Sequence, residues 1–308
     1  MTKVVVLGAS GMLGSMVVDV LASEERLEVR GTVRSEDLRA VCCARIPQAD
    51  WTLFDAGSGD DAGLAHAVEA ADWVVNAIGL TKPYIHDDDA AQVEAAIMIN
   101  AAFPYRLARE AARSGARVVQ IATDCVYSGM AGRYRESATH DALDAYGKTK
   151  SLGEANLPNV HLLRSSIIGP EPKTYAFLLE WLRRQPAGAT VNGYLDHLWN
   201  GVTTLAFARI CCAVVRGAVT LSSVQHVVPA GDVTKAELLK DIARAYGRGD
   251  IHIEPVQAPS SIDRTLRTEH SQELADLWAA AGYSATPSVA EMVAEVASYP
   301  FRLEGLSP

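Results

Sequence analysis

The first half of the chain alternates short apolar runs with longer segments of helical periodicity. The run Val4-Val5-Val6-Leu7 has apolar side chains on both faces, which is typical of a parallel strand covered by helices on both sides. The predicted strands are Lys3 to Leu7, Leu27 to Val33, Trp51 to Phe54, Asp72 to Asn76, Arg117 to Ala122 and Val160 to Ser165. The helices predicted between them include Met12 to Ala22, Ala90 to Ser114 and Tyr146 to Ala155. This alternation predicts right-handed βαβ units and an α/β fold with a doubly wound, Rossmann-type parallel sheet.

The pattern changes after Gly169, where a proline-rich turn is followed by short strands and further helices. The helices predicted there include Tyr175 to Arg184, Thr234 to Tyr246 and Glu269 to Ala281. We expect residues 1–169 to form a cofactor-binding Rossmann domain and residues 170–308 to form mainly a smaller α+β, substrate-binding lobe. We also expect parts of residues 201–230 to return to the first domain.

Composition and charge narrow the classes of function. The 308 residues, 49% of them hydrophobic, can bury a large core. The net charge of -9 disfavours a general binder of nucleic acid or of an anionic membrane, because the chain repels phosphate overall. No apolar run approaches the roughly 18 residues of a membrane helix, and the five cysteines lack a metal-binding spacing. We therefore expect a cytoplasmic protein without a metal, nucleic-acid or membrane partner.

A glycine-rich turn lies between the first predicted strand and the first predicted helix. It has the spacing G-x-x-G-x-x-G, with glycines at Gly8, Gly11 and Gly14. A pyrophosphate needs close backbone N–H donors, and glycine allows that approach because it has no Cβ. In this context the turn predicts dinucleotide binding by Gly8, Ser10, Gly11, Met12, Leu13 and Gly14. The alternative is a purely structural turn.

The ends of the next strands predict how the rest of the cofactor binds. The second strand ends at Arg34, and an arginine there favours the 2′-phosphate of NADP, whereas an acid would favour the ribose of NAD. We therefore expect NADPH to be preferred, with NAD as the alternative and a solvated surface charge as the other interpretation of Arg34. Asp55 is predicted to bind the adenine or to cap a turn. The small residues of Ala77-Ile78-Gly79 would let the backbone approach the cofactor.

Three side chains form a candidate catalytic group. Tyr146 and Lys150 are four residues apart, which places them on one face of a helix. A phenol is a weak acid or base at neutral pH unless a nearby cation favours its ionised form, and Lys150 supplies that cation. Thr123 ends the fifth strand at the same edge of the sheet and could bond the substrate oxygen. Each of these residues alone would be weak evidence for catalysis. A chance match is not expected to bring all three together in this order along the chain and at this edge of the sheet.

These motifs resemble the extended short-chain dehydrogenase/reductases. Residues 122–129, ATDCVYSG, and residues 146–154, YGKTKSLGE, are similar to the strand-end motif and the catalytic helix of dTDP-4-dehydrorhamnose reductases and related nucleotide-sugar 4-ketoreductases. The resemblance is strong over residues 1 to about 170 and weak beyond. It implies hydride transfer from NADPH to a keto group of a nucleoside-diphosphate deoxysugar, with Tyr146 as proton donor.

The resemblance also suggests roles for further residues. Asn100 resembles a helix asparagine that organises the cofactor site, although an interior packing amide is the alternative. Asp124, Cys125 and Asn200 are candidates for contact with the substrate. Arg264 lies where such enzymes often bind the nucleotide diphosphate, and a surface ion pair is its alternative. Dimers are common in that family, so the resemblance also leaves a homodimer open.

Two departures leave the exact sugar open. Val202 stands where the family usually has a proline before its threonine, and residues 80–89 differ from the rhamnose enzymes. Two other functions remain as alternatives. One is a nucleotide-sugar epimerase or dehydratase on the same fold, which would favour an acid in place of Arg34. The other is a catalytically silent, cofactor-binding regulatory protein, since a fold does not imply activity.

Overall fold

The apolar runs of the first half form one parallel sheet in the computed structural model, which describes residues 1–306. The strands of the chain are β1 (Thr2–Leu7), β2 (Leu27–Val33), β3 (Asp50–Leu53), β4 (Trp73–Asn76), β5 (Arg117–Thr123), β6 (Val160–Ser165), β7 (Ile167–Ile168), β8 (Thr190–Tyr194), β9 (His197–Trp199), β10 (Val202–Thr203), β11 (Val224–His226), β12 (Val233–Thr234), β13 (His252–Val256) and β14 (Ile262–Asp263). The six strands predicted for the first half all lie in this sheet, with bounds shifted by at most one residue.

Helices cover both faces of the sheet and continue into the second half. They are α1 (Met12–Leu21), α2 (Glu36–Arg45), α3 (Asp61–Ala67), α4 (Ala90–Ala96), α5 (Phe103–Ser114), α6 (Ala145–Leu152), α7 (Leu178–Arg183), α8 (Thr204–Val215), α9 (Lys235–Ala245), α10 (Ser271–Ala280) and α11 (Val289–Ser298). The architecture is therefore the Rossmann-type α/β fold that the sequence pattern predicts.

The strand order creates a crevice for a ligand. The seven strands run β11-β6-β5-β4-β1-β2-β3, and every pairing between neighbours is parallel. The chain moves outward from β1 to β3 and then continues on the other side of β1 with β4. At such a switch point the loops after two adjacent strands diverge, and ligands bind there at the carboxyl ends. The loops after β1, β4 and β5 meet at this point.

The apolar strands are buried on both faces. Val4 and Val6 of β1 contribute to a core with α1 and α8, whereas Val5 and Leu7 point to the opposite core with α5. Alternate residues of a strand face opposite sides of the sheet, so a strand with helices on both sides has no polar face. This burial explains the unbroken apolar run in β1.

The second half contributes to the sheet and also builds a separate core. β11 pairs with β6, and α8 packs against α1. A third cluster of buried apolar side chains lies among α7, α9, α11 and the paired strands β8 and β13. The chain after β6 therefore returns to the sheet between two excursions into the smaller lobe.

Three predicted helices differ from the observed ones, and one of them, predicted to end at Ala155, ends at Leu152. The predicted helix at 90–114 is interrupted by a π-helical turn at Ile97–Ala102, directly before Pro104. Proline has no N–H to donate to the carbonyl of Asn100, and its ring crowds that carbonyl, so the backbone widens there. The helix predicted at 175–184 begins only at Leu178, because Thr174 and Tyr175 have φ angles of 76° and 55°. Such left-handed backbone cannot belong to an α-helix.

Gly14 sets the distance between α1 and the preceding turn. A Cβ built on Gly14 would lie 2.2 Å from the carbonyl oxygen of Gly8. We expect Gly14→Ala to lower the free energy of unfolding by about 1–3 kcal/mol and to weaken dinucleotide binding, since α1 must move away from the turn. Urea unfolding and a cofactor titration measure these effects.

Gly249→Ala is the matched control, because a Cβ at Gly249 meets nothing within 4 Å. Its free energy of unfolding should stay within about 0.5 kcal/mol of the wild-type value. Equal stability of the two variants would show that the close contact at Gly14 is not needed.

Candidate active site

The glycine turn forms the floor of the crevice. Gly8 has a φ angle of 77°, and its N–H donates to the Thr32 hydroxyl of β2 over 3.0 Å. Gly11 occupies the N-cap position of α1, so no side chain bonds the free N–H groups at the helix start. The first turn of α1 also contains no acidic residue. The amides at this helix start are therefore available to an anion, and the helix dipole favours negative charge there.

A cleft with a volume of about 710 Å³ lies over this turn. Most of the predicted site residues line it, namely Gly8, Ser10, Gly11, Met12, Leu13, Arg34, Asp55, Ala77, Ile78, Gly79, Thr123, Asp124, Cys125, Tyr146 and Lys150. Four predicted residues do not line it, and these are Gly14, Asn100, Asn200 and Arg264. Candidate catalytic side chains and the glycine turn thus share one cavity.

Two hydrogen bonds position the candidate catalytic group. Thr123 is the last residue of β5, and its hydroxyl accepts from the Cys125 N–H at 3.2 Å. Tyr146 lies in the first turn of α6. Lys150, one turn later, donates from Nζ to the Ile121 carbonyl of β5 at 3.0 Å. The ammonium is therefore tied to the strand that carries Thr123.

Close packing fixes α6 against the turn after β5. Asp144 caps the helix by accepting from the Gly147 N–H at 2.7 Å. A Cβ on Gly147 would lie 2.3 Å from the Cys125 carbonyl oxygen, so the glycine between the two catalytic candidates is needed for this approach. The packing explains why Tyr146 and Thr123 face the same cavity.

Burial controls the protonation of these groups. It raises the pKa of Tyr146 above its ordinary value, and Cys125 adds to the rise while a hydrogen bond with Thr123 opposes it. Burial lowers the pKa of Lys150 to about 8, against the opposing charge of Glu154. Tyr146 is therefore a protonated phenol at neutral pH, and the lowering of its pKa that the sequence predicts from Lys150 is not found. Burial also raises the pKa of Cys125 to about 12, so its thiol stays protonated.

The loop after β4 is braced by polar contacts. The Asn100 side chain donates to the Leu80 carbonyl and accepts from the Leu80 N–H, both at 2.8 Å. Lys82 bonds Asp144 at 2.6 Å, and Asp87 accepts from the Ala145 N–H at 3.1 Å. Asn100 therefore holds the loop that lines the cleft, and its amide is not directed into the cleft, because both ends are used by Leu80.

The end of the cleft beside β2 and β3 contains Asp55 and Arg34. Asp55 caps the turn at Ala56–Ser58 by accepting from the Gly57 N–H at 2.9 Å, which is the alternative role that the sequence left open. Arg34 is exposed and lines the cleft. Ser35, its neighbour, caps α2.

The smaller lobe places cations opposite Asp124. Burial raises the pKa of Asp124, and the positive charges of Arg264 and Lys235 oppose that rise. Arg264 donates to the Tyr127 carbonyl at 2.8 Å, and Lys235 lies 5.4 Å from the centre of the Trp199 ring. Burial lowers the pKa of Lys235 to about 8. Two cations of the second lobe therefore face the acid that follows Thr123.

The structure corrects the predicted role of Asn200. Its amide donates to the Leu266 carbonyl at 2.8 Å and accepts from the Leu266 N–H at 2.9 Å, and the residue is buried outside the cleft. Both ends of the amide bind backbone, so Asn200 joins two segments of the smaller lobe and has no group left for a substrate.

Sequence reasoning missed several charged residues of the site. Lys173 and Glu171 line the cleft from the loop after β7, and Lys235 begins α9. None of them belongs to a recognisable motif. The adjacent prolines marked the first loop only as a turn, and Lys235 has the pattern of an ordinary helix start after a capping threonine.

Other kinds of site find no support in residues 1–306. No helix there is long and apolar enough to cross a membrane, and no group of three or more His, Cys, Asp or Glu side chains is arranged to hold a metal ion. All five cysteines are free, and Cys42, Cys211 and Cys212 are buried.

Comparison with known proteins agrees with this architecture. A curated "dTDP-4-keto-6-deoxy-D-glucose reductase" of Streptomyces niveus is 27% identical over 300 residues, which cover 90% of each chain. The solved dTDP-4-dehydrorhamnose reductase of Bacillus anthracis, in complex with NADP, is 18% identical with a TM-score of 0.73, covering 96% of this chain and 98% of that one. The UDP-glucuronic acid 4-epimerase of Bacillus cereus, with its substrate and NAD, is 16% identical with a TM-score of 0.71, covering 97% and 98%. The two structures demonstrate a shared fold.

The family of the chain follows from a match of nearly its whole length. The sequence profile described as "RmlD substrate binding domain" matches residues 1–299, which include the glycine turn, the β5 strand end, the α6 helix and the smaller lobe. The protein belongs to the RmlD substrate binding domain family.

Proposed function

We propose that the protein is an NADPH-dependent reductase of a keto group on a nucleoside-diphosphate-linked deoxysugar, such as a dTDP-4-keto-6-deoxyhexose. The observation that carries the proposal is that Thr123, Tyr146 and Lys150 line one cleft with the glycine turn. The relative from Streptomyces niveus, named for such a reduction, supports the same reaction class.

The cleft fits a phosphorylated dinucleotide. The start of α1 offers backbone N–H groups without a competing acid or cap, and a Cβ at Gly11 would crowd the Gly8 carbonyl at 3.3 Å. Arg34 adds a cation at the end of β2. Together these groups suit a pyrophosphate at the turn and a phosphate on the adenosine ribose. NADPH, when bound, would supply the hydride.

Side chains of the protein would supply the proton and orient the keto group of the substrate. Thr123 would donate a hydrogen bond to the keto oxygen, and Tyr146 would transfer its phenolic proton to that oxygen as negative charge develops there. Lys150, held by the Ile121 carbonyl, would stabilise the phenolate that remains. Asp124, next to Thr123, would contact the sugar.

The smaller lobe would bind the nucleotide part of the substrate. The charges of Arg264 and Lys235 act on Asp124, and Lys235 lies near the Trp199 ring. Two cations suit a diphosphate, for which arginine offers a bidentate contact. Residues 170–306 would therefore supply most of the substrate contacts, apart from α8 and β11, which return to the sheet.

The competing functions lack a comparable observation. An epimerase or dehydratase would favour an acid at the end of β2, where this chain has Arg34, and the next acid, Glu36, is paired with Arg39. A silent regulator would not need the contacts that hold Tyr146 and Lys150 in the cleft. Both residues are present and face the glycine turn.

The direct test is turnover with a panel of nucleoside-diphosphate 4-keto-sugars. We expect NADPH oxidation with at least one of them, faster than NADH oxidation, and a sugar product that carries a new hydroxyl. Cofactor binding without turnover of any keto-sugar would contradict the proposal and favour a regulatory role. A substrate that changes configuration without net oxidation of NADPH would favour the epimerase.

A further inference from the structure

The loop of residues 170–177 follows β7 and lines the cleft. Its conformation is held from inside by Glu171, which is 1% exposed. The Glu171 carboxylate accepts from the N–H groups of Ala176 at 3.0 Å and Phe177 at 2.6 Å, and from the Thr174 hydroxyl at 3.1 Å. These bonds stabilise the left-handed backbone of Thr174 and Tyr175. The loop is therefore a part of the cleft wall whose conformation is fixed by hydrogen bonds.

Lys173 lies at the tip of this loop, between the two parts of the cofactor site. Its Nζ donates to the Ser10 hydroxyl of the glycine turn at 3.3 Å, although the two residues are 163 positions apart. The positive charge of Arg34 lies close enough to disfavour the charged form of Lys173 and lower its pKa, after the larger effect of burial. Two cations from different lobes therefore approach each other beside the glycine turn.

Neither cation has an acidic partner. Among residues 1–306, the ion pairs include neither Arg34 nor Lys173. Glu171 uses both carboxylate oxygens on the loop backbone, and Glu36 is paired with Arg39. Two neighbouring cations repel each other when neither is paired with an acid, and an anion between them removes that repulsion.

We propose that Lys173 and Arg34 together bind the 2′-phosphate of NADPH, so that the loop of the second half supplies half of the cofactor specificity. This inference rests on the proposed use of NADPH. The pyrophosphate already has the amides at the start of α1, whereas Arg34 directly follows β2, where the adenosine ribose binds in this fold. The dianionic 2′-phosphate is the one group of NADPH that is missing from NADH, so a pair of cations at this place distinguishes the two.

The test compares two pairs of ligands, and the members of each pair differ only in that phosphate. Purified wild type, Lys173→Met, Arg34→Met and the double variant are titrated by calorimetry with adenosine 2′,5′-bisphosphate and AMP, and with NADPH and NADH. We expect Lys173→Met to weaken the two 2′-phosphorylated ligands roughly 10- to 100-fold, the loss of one charged hydrogen bond, and to leave AMP and NADH within about twofold. The unchanged NADH affinity also shows that the variant is folded.

The double variant tests whether the two cations act on one group. If both bind the 2′-phosphate, the losses should be non-additive, because either single change already weakens the shared contact. Arg39→Met is the matched control, since Arg39 lies five residues from Arg34 and is paired with Glu36. Its affinities for all four ligands should match the wild type.

Three results would overturn the inference. An equal loss for NADH and for NADPH in Lys173→Met would place the lysine on the pyrophosphate. Unchanged binding of all four ligands in Lys173→Met would show that the lysine contacts none of them. A wild type that binds NADH as tightly as NADPH would show that the cation pair does not select the 2′-phosphate. By contrast, 2′-phosphate selectivity without keto-sugar reduction would contradict only the proposed reaction.

Discussion

Replacement of Tyr146 by Phe is expected to lower kcat for keto-sugar reduction by about 10²- to 10⁴-fold, the usual contribution of a positioned general acid. The phenol is the proposed proton donor and lies in the cleft with Thr123, and burial keeps its pKa above the ordinary value, so it is protonated at neutral pH. Phenylalanine keeps the ring and removes only the hydroxyl. NADPH affinity should therefore change little, and steady-state kinetics with a parallel cofactor titration measure both quantities.

Tyr105→Phe is the control for this substitution. Tyr105 lies on α5, is 43% exposed and does not line the cleft, so the same chemical change there should leave kcat unchanged. A Tyr146→Phe variant with more than about a tenth of the wild-type kcat would assign the proton to another donor. The Asp124 carboxyl, whose pKa is raised by burial, would then be the first group to examine.

Replacement of Lys150 by Met is expected to lower kcat/KM by at least about 10²-fold. Methionine fills a similar volume but removes the ammonium that would stabilise the phenolate of Tyr146. It also breaks the bond from Nζ to the Ile121 carbonyl, so the cleft wall loses a polar tie to β5. Lys148→Met is the matched control, because Lys148 is exposed on the same helix and lies outside the cleft. Comparable losses in the two variants would refute a specific role for Lys150.

The pH dependence gives a second test of Lys150. Burial lowers its pKa to about 8, so the ammonium is present below that pH and is lost above it. We therefore expect kcat/KM of the wild type to fall as the pH rises past about 8. In Lys150→Arg the charge persists, because a guanidinium stays protonated, and the alkaline fall should move to higher pH. A pH profile identical to the wild type in Lys150→Arg would assign the fall to another group, and Lys235 has a similar pKa.

The strands and the glycine turn were predictable because their signals are local. Apolar runs buried on both faces, such as Val4 to Leu7, leave no other stable arrangement than a covered parallel sheet. The predicted helix bounds were less accurate where a proline or a hydrogen bond from outside the helix changes the backbone. Pro104 widened one helix into a π turn, and the bonds of Glu171 delayed the start of another until Leu178.

The residues of the candidate site also divide into those that local sequence identifies and those whose partners it does not predict. Tyr146 and Lys150 were identified because helix geometry alone places residues four apart on one face. Asn100 and Asn200 resemble site residues in sequence, but both amides bind the backbone of segments that are far away along the chain. No pattern in the chain predicts which backbone a buried amide will meet.

The sequence by itself determined the strands of the sheet, the glycine turn and the helix that carries Tyr146 and Lys150, because the signal of each lies in residues a few positions apart. Only the tertiary structure decided that Lys173 would reach Ser10 and that Lys235 would face Asp124. Those pairs join segments more than 100 residues apart. Their meeting depends on how whole strands and loops pack, and a lone lysine in a loop has no local signal of the charge or phosphate that it will contact.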